Sequence, residues 1–456
     1  MHRAIGVRGA GYGRRLPTGA RVALLRSSGR DALDLALAPG LVLAIGYAAF
    51  AKGGFYGLEG AAVGGLALLV AACGLTRDVA RGAVPPLVAF LLLGAGLATS
   101  VAATDSLSGA LGPASSLAAM AGGFIATRAL LRRGERTTVL WTVAAAGGAV
   151  AMLGVVGLSF HLEPWGMFAT WIWRAASTFS YANAAAAFLV LCLPAAMALV
   201  SADPDDPRAH LLAFAIVLGA MATLSRGAMA ASALGGAVLL VSGARQAFRG
   251  LARPVLGAAV AMAGLLPSVL GEAAHPIPAL LAVALGVGIT LGPATRWRRS
   301  LAVGAVLLVS AAAVGALVVK GPTLVRSRAG DEPRSALWSA ALEAGSARPA
   351  FGVGLGRFRT DATLFAHNEY LQVFAEAGVT GLAAIAGAIV LFGSWVWARR
   401  RDSDRVLWAL AAAAAIAFLA HSAVDFLWRF PALLLLVSIW LALAGEPAAR
   451  TEGVER

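Results

Sequence analysis

Three arginines and one histidine are the residues of this chain whose types and settings are suited to chemistry. Arg174 lies in Trp171-Ile172-Trp173-Arg174-Ala175-Ala176-Ser177-Thr178-Phe179-Ser180-Tyr181-Ala182-Asn183, just ahead of an apolar run. Arg226 lies in Thr223-Leu224-Ser225-Arg226-Gly227, pinched between two apolar runs. Arg334 and His367 belong to the longest polar interruption, residues 320–378. A guanidinium at membrane depth costs several kcal/mol unless it is paired, so it marks function by default. Its planar fork matches phosphate oxygens. A neutral imidazole accepts a proton near physiological pH, as a general base must. Each residue also has a plainer reading, which is interfacial anchoring for the arginines and helix capping or packing for the histidine.

The elements that position these groups follow from composition. The chain of 456 residues is 59% hydrophobic and 13% charged, with a mean hydropathy of +0.79. Apolar runs of about 17–22 residues recur along it, long enough to cross a bilayer core of roughly 30 Å as helices. Spans are expected near 32–51, 56–75, 84–103, 112–131, 138–158, 183–202, 209–224, 228–243, 254–270, 277–293, 301–319, 378–397, 406–421 and 429–445. The pair flanking Arg226 is also compatible with a broken or re-entrant element. The expected fold class is an all-α polytopic membrane protein. It has about 12–14 transmembrane helices and one long extracytoplasmic loop containing short amphipathic helices. The expected boundaries are a basic tail over 1–31, spans over 32–319, the loop over 320–377, spans over 378–445 and a tail over 446–456.

A net charge of +14 invites a nucleic-acid reading, but Lys52 and Lys320 are the only lysines. The arginines are spread over short turns such as Arg132-Arg133 and Arg399-Arg400-Arg401. That is a topology signal; it excludes a nucleic-acid surface and puts both termini in the cytoplasm and the long loop outside. The first 30 residues, with arginines at 3, 8, 14, 15, 21, 26 and 30, read as a cytoplasmic tail rather than a signal peptide. Cys73 and Cys192 fall in apolar spans and read as free thiols.

Within the loop, Asp331 and Pro333 suit the start of a helix that places Arg334 and Trp338 four apart on one face. A second helix is expected from His367-Asn368. His367, Tyr370, Leu371 and Phe374 recur on one stripe, Glu369, Gln372 and Glu376 look elsewhere, and Gly378 lies past the end. Gly352, Gly354 and Gly356 between the helices allow close backbone approach. They lack the strand–turn–helix context of a nucleotide loop. His421 and Asp425 are four apart, as a structural pair or as the proton relay of a transporter. Asp203-Pro204-Asp205-Asp206 reads as a solvated inner turn. No Cys/His cluster has metal-ligand spacing, and neither metal nor cofactor is expected.

These pieces, in this order over roughly residues 170–435, resemble the O-antigen ligase and O-antigen polymerase superfamily. They are Arg174 with Thr178-Phe179 and Asn183; Ser225-Arg226-Gly227; Arg334 with Trp338 and Gly352-Val353-Gly354; His367-Asn368-Glu369-Tyr370-Leu371-Gln372 with Glu376 and Gly378; and His421 to Phe426 with Pro431. The resemblance implies a membrane glycosyltransferase of the cytoplasmic membrane whose donor is a glycan on undecaprenyl diphosphate. It implies that His367 and Arg334 are catalytic, with Arg174, Arg226 and Arg334 on the diphosphate. Asn368, Tyr370, Gln372, Trp338, Gly354 and Asp425 support them. The acceptor is a glycan, lipid or protein hydroxyl. A polytopic transporter or flippase for lipid-linked glycan or a small anion is the competing class; it predicts charges or broken helices near the midplane.

Overall fold

Lipid offers no partner to an unpaired peptide group, so apolar runs of this length must close their hydrogen bonds within helices. The computed structural model describes residues 35–75, 83–169, 171–292, 334–361 and 363–445. They form α1 (Leu35–Phe50), α2 (Gly57–Gly74), α3 (Val84–Thr104), α4 (Leu111–Leu131) and α5 (Arg136–Phe160). A two-stranded hairpin follows, β1 (Gly166–Ala169) and β2 (Ile172–Ala175). Then come α6 (Ala182–Ala202), α7 (Pro207–Ala222), α8 (Arg226–Val241), α9 (Ala252–Leu270) and α10 (Pro276–Leu291). The chain ends with α11 (Arg334–Ala347), α12 (Glu369–Ala398), α13 (Arg405–Ser422) and α14 (Pro431–Ala444).

Eight of these helices are long and apolar enough to span a membrane, and five more are shorter but apolar. The protein is therefore an all-α, multi-pass membrane protein. Thirteen of the expected spans coincide with described helices. The span at 301–319, both tails and the capping residues Asp331 and Pro333 lie outside the described residues. Residues 223–225 separate two 16-residue helices, α7 and α8, and Arg226 is the first residue of the second.

The centre of the bundle is α6 and α14, both buried along most of their length. Trp440 of α14 donates its indole N–H to the carbonyl of Leu191 at 2.7 Å, tying the two together. Small residues let the other helices close in. A methyl group on Gly122 of α4 would stand 2.5 Å from the backbone of Ala67 in α2.

Alternating crossings bring the 51–56, 105–110, 161–181, 223–225, 271–275 and 423–430 connections to the same end as α11 and the segment before α12. Direct bonds tie that end together. Arg357 donates to the carbonyl of Thr104 at 2.8 Å, and Arg334 donates to that of Val424 at 2.6 Å. At the opposite end Arg405 reaches the carbonyl of Ser242 at 2.9 Å, and Ser403 that of Ala444 at 3.0 Å.

Candidate functional site

The site forms where four distant pieces of chain meet at one end of the bundle. His367 precedes α12 in a left-handed conformation, φ +49°. Its Nδ1 lies 3.4 Å from Oδ1 of Asp425, in the turn between α13 and α14. That is an ion-pair distance, active when the imidazole is protonated. Asp425 is fully buried and the His367 side chain is 23% exposed, so a solute reaches the imidazole and not the carboxylate. Tyr181 donates its phenol to Asp425 Oδ1 at 2.8 Å, and Asn183 donates its amide to Oδ2 at 2.6 Å. Burial alone would raise the Asp425 carboxyl. The His367 and His421 imidazoles and the Phe426 N–H outweigh it and hold the group below the ordinary carboxylate value. Tyr181 is pushed well up, first by burial and then by the Asp425 charge; Arg334 pulls the other way, which puts its guanidinium within electrostatic reach of the pair. The partly exposed imidazole therefore stands beside a buried carboxylate held in place by Tyr181 and Asn183.

The three arginines lie at the same end of the bundle as this pair. Arg174 is held on β2 opposite Met167. It donates Nε to the carbonyl of Thr223 and Nη2 to Asn183 Oδ1, both at 2.8 Å. Its charge thus stands behind Asn183, one hydrogen bond from Asp425. Arg226 is exposed at the first position of α8, whose N-cap is Ser225, the hydroxyl accepting from Ala228 N–H. A cation at the positive end of a helix is unfavourable by about 0.3–1 kcal/mol unless an anion shares the site. Arg334 is the first described residue of α11 and is exposed. A methyl group on Gly227 would stand 2.8 Å from Nε2 of His421 and 3.2 Å from Cγ2 of Val424. The α8 N-terminus therefore rests on the turn whose Val424 carbonyl binds Arg334. His421 Nε2 and Trp338 Nε1 are buried without a hydrogen-bond partner among the described residues. Buried polar atoms of that kind call for an explanation, and a ligand is one.

A second layer fixes the loop that carries His367. Asn368 caps α12, its side chain accepting from the N–H groups of Tyr370 and Leu371. Gln372 accepts from the Ala366 N–H at 2.7 Å and donates to the Leu364 carbonyl and to Glu376 Oε1. Glu376 Oε2 pairs with Arg429 at 2.6 Å, and the Arg429 guanidinium lies over the ring of Phe365 at 5.7 Å. Glu369 accepts the Trp428 N–H. Tyr370 donates to the Leu419 carbonyl at 3.0 Å. The residues flanking His367 and those flanking Asp425 are thus bonded to one another. Phe426 reinforces this, stacked between Phe365 and Tyr181 with ring centroids 4.2 and 5.0 Å away.

The glycines serve the same end. α12 breaks at Gly378, φ +63° and ψ −158°. The loop before it fills the break: Val353 and Gly354 donate to the carbonyls of Ala375 and Glu376, and Val379 and Thr380 donate to those of Pro349 and Ala350. A methyl group on Gly352 would lie 2.4 Å from the Glu376 carbonyl carbon. What the glycine run approaches closely is this helix.

Several expectations change in detail. His367 is outside the helix that it was expected to open, because Asn368 is the cap. Glu369, Gln372 and Glu376 are buried rather than turned away; packing against the 423–430 segment overrides the apolar stripe. His421 and Asp425 do not share a helix face, because α13 ends at Ser422. The structure brings Arg174, through Asn183, and His367 to Asp425, and ties Arg334 to the Val424 carbonyl in the same turn. It sets Asn368, Tyr370, Gln372 and Gly354 in the hydrogen bonds that hold the loop; no contact joins the Arg226 or Trp338 side chain to the pair among the described residues. Sequence reasoning missed the roles of Tyr181 and Arg429. Arg429 does offer a signal, being a lone cation in the apolar Phe426–Pro431 stretch.

Fold and site together define a multi-pass membrane protein with a cationic, histidine-containing centre where its helices end. Residues 276–386 match the family model described as O-antigen ligase (Wzy_C). The match spans α10, α11, the glycine loop, His367 and the first half of α12, and it supports the O-antigen ligase and polymerase superfamily as the one the chain resembles. No curated protein matches the chain.

Proposed function

We propose that this protein is a glycosyltransferase that moves a glycan from an undecaprenyl diphosphate carrier to an acceptor hydroxyl at the outer face of the cytoplasmic membrane, with both termini in the cytoplasm. The observation that carries this reading is the meeting of His367 with Asp425 within electrostatic reach of Arg334, with Arg226 at the start of the helix that rests on the same turn. A base and a set of cations stand together where a lipid headgroup would lie.

In this reading His367 takes the proton of the acceptor hydroxyl, and Asp425 stabilises the imidazolium that results. The acceptor oxygen bonds to the anomeric carbon as the bond from that carbon to the diphosphate oxygen breaks. The electron pair leaves with undecaprenyl diphosphate. Arg226 and Arg334 meet the developing charge directly, and Arg174 adds its charge from behind Asn183. Cations already in place in a poorly solvated site stabilise such charge without reorganising. In-line attack opposite the leaving group inverts the anomeric configuration. A donor that carries its own leaving group also suits a site with no access to ATP.

The test is the purified protein with a lipid diphosphate-linked glycan and a panel of glycan, lipid and protein acceptors. The expected product is a new glycosidic bond of inverted configuration, read by NMR. A retained configuration would remove His367 as the base. Movement of intact donor between leaflets, with no bond broken, would replace the transferase with a flippase.

A further inference from the structure

A cavity of about 1200 Å³ runs through the bundle between α3, α4, α8, α12, α13 and α14. It reaches from Glu369, Gln372 and Glu376 at the end holding the site to Arg400, Arg401 and Arg405 at the other. Its middle is apolar, walled by Leu234, Val238, Ile389, Phe392, Val396 and Leu441. Small-molecule pockets run to roughly 300–1,000 Å³, so this one is large for a compact solute. From Gly381 to Trp397 the cavity follows about 24 Å of helix at 1.5 Å per residue, the length of an extended acyl chain.

Of the arginines that line the cavity, three stand at its far end, while Arg429 at the site end is paired with Glu376, so the far end is where the cavity offers free cations to a charged lipid. At the site end stand two buried carboxylates, of which Glu376 is neutralised by Arg429. At the far end three guanidinium groups border the mouth. Arg405 is anchored to the Ser242 carbonyl. Arg400 lies over the ring of Trp397 at 4.2 Å. Arg401 is exposed and has no partner among the described residues. Trp397 is itself 59% exposed beside them, as an interfacial anchor would be.

We propose that this cavity is a binding site for an anionic phospholipid. Its phosphate sits on Arg400, Arg401 and Arg405, and its acyl chain lies between α8, α12 and α13. A polyisoprenoid carrier with its diphosphate at Arg226 and Arg334 would enter from the opposite end, so the two lipids are distinct occupants. The inference does not depend on the transferase reading.

Native mass spectrometry of the purified full chain, with melting curves, tests it against phosphatidylglycerol, phosphatidylcholine, undecaprenyl phosphate and inorganic phosphate. Phosphatidylglycerol is expected to be retained and to raise the melting temperature, and the other three are not. Arg400→Ala with Arg401→Ala should weaken its retention about 30-fold, from roughly fivefold per basic residue. Ile389→Trp, which fills the apolar middle and leaves the arginines in place, should also abolish retention. That second variant keeps the test decisive if the double variant folds poorly. Equal retention of phosphatidylcholine, retention unchanged by either variant, or displacement of phosphatidylglycerol by undecaprenyl phosphate would overturn the proposal.

Discussion

At the scale of single residues, the account rests on Asp425 as much as on His367. The carboxylate accepts from Tyr181 and Asn183 and faces His367 Nδ1 at 3.4 Å. Asp425→Asn keeps the shape but sets an amide against two donors and removes the charge that supports an imidazolium. Turnover in a transfer assay is expected to fall by about 10²-fold or more, with the protein still folded by its melting curve. The folded carboxyl is held below its ordinary value. Its ionised form therefore contributes stability that is complete above about pH 3.9 and is lost as the pH falls through the lower folded value. The melting-temperature gap between the wild type and Asp425→Asn should accordingly close as the pH falls below about pH 4. His367 and the three arginines were legible in the sequence because ionisable groups are rare in an apolar chain and each one must be explained. The pairing of His367 with Asp425 was not, because the turn after α13 sets it and helix spacing does not. Tyr181 was hidden in an aromatic-rich string that nothing in the sequence divides into packing and hydrogen-bonding rings.

At the scale of elements, precision comes from the way the glycine loop plugs the break in α12. Gly352 has φ +68°, and an added methyl group would meet Glu376 backbone at 2.4 Å. Gly352→Ala should cost on the order of 1–3 kcal/mol, read as a lowered melting temperature together with lost turnover. Gly393 sits in the same helix with open space around its Cα. Gly393→Ala should leave turnover intact and stabilise the helix by about 0.5–1 kcal/mol. Glu376 acts through Gln372 on the loop carrying His367, so Glu376→Gln should lower turnover while donor affinity holds. In a His367→Ala background the same change should have no further effect on the residual rate; an additive loss would mean Glu376 acts on its own account. The spans were readable because lipid imposes one solution on long apolar runs. The β1–β2 hairpin was not, since strands of four residues in an apolar, aromatic stretch leave no period to count. The buried polar face of α12 was misjudged for a related reason: its partners, Trp428 and Arg429, arrive from a turn far along the chain.

At the scale of the whole molecule, the fold puts two charged surfaces at opposite ends of one bundle. The proposed function requires the His367–Arg334 end to face outside and the Arg399–Arg405 turn to face the cytoplasm. Single cysteines at Leu364 and Arg401, in a chain where Cys73 and Cys192 are replaced by alanine, should react with an impermeant reagent from opposite sides, Leu364 from the periplasmic side. The converse labelling would contradict the outer-face reading of the site. The most direct test of the central claim is release of the free carrier from a lipid diphosphate-linked glycan by purified protein. Wild type should release it in the presence of acceptor, and His367→Ala and Arg334→Ala should each abolish release while keeping the wild-type melting temperature. Full release by both variants would contradict the site assigned to this fold.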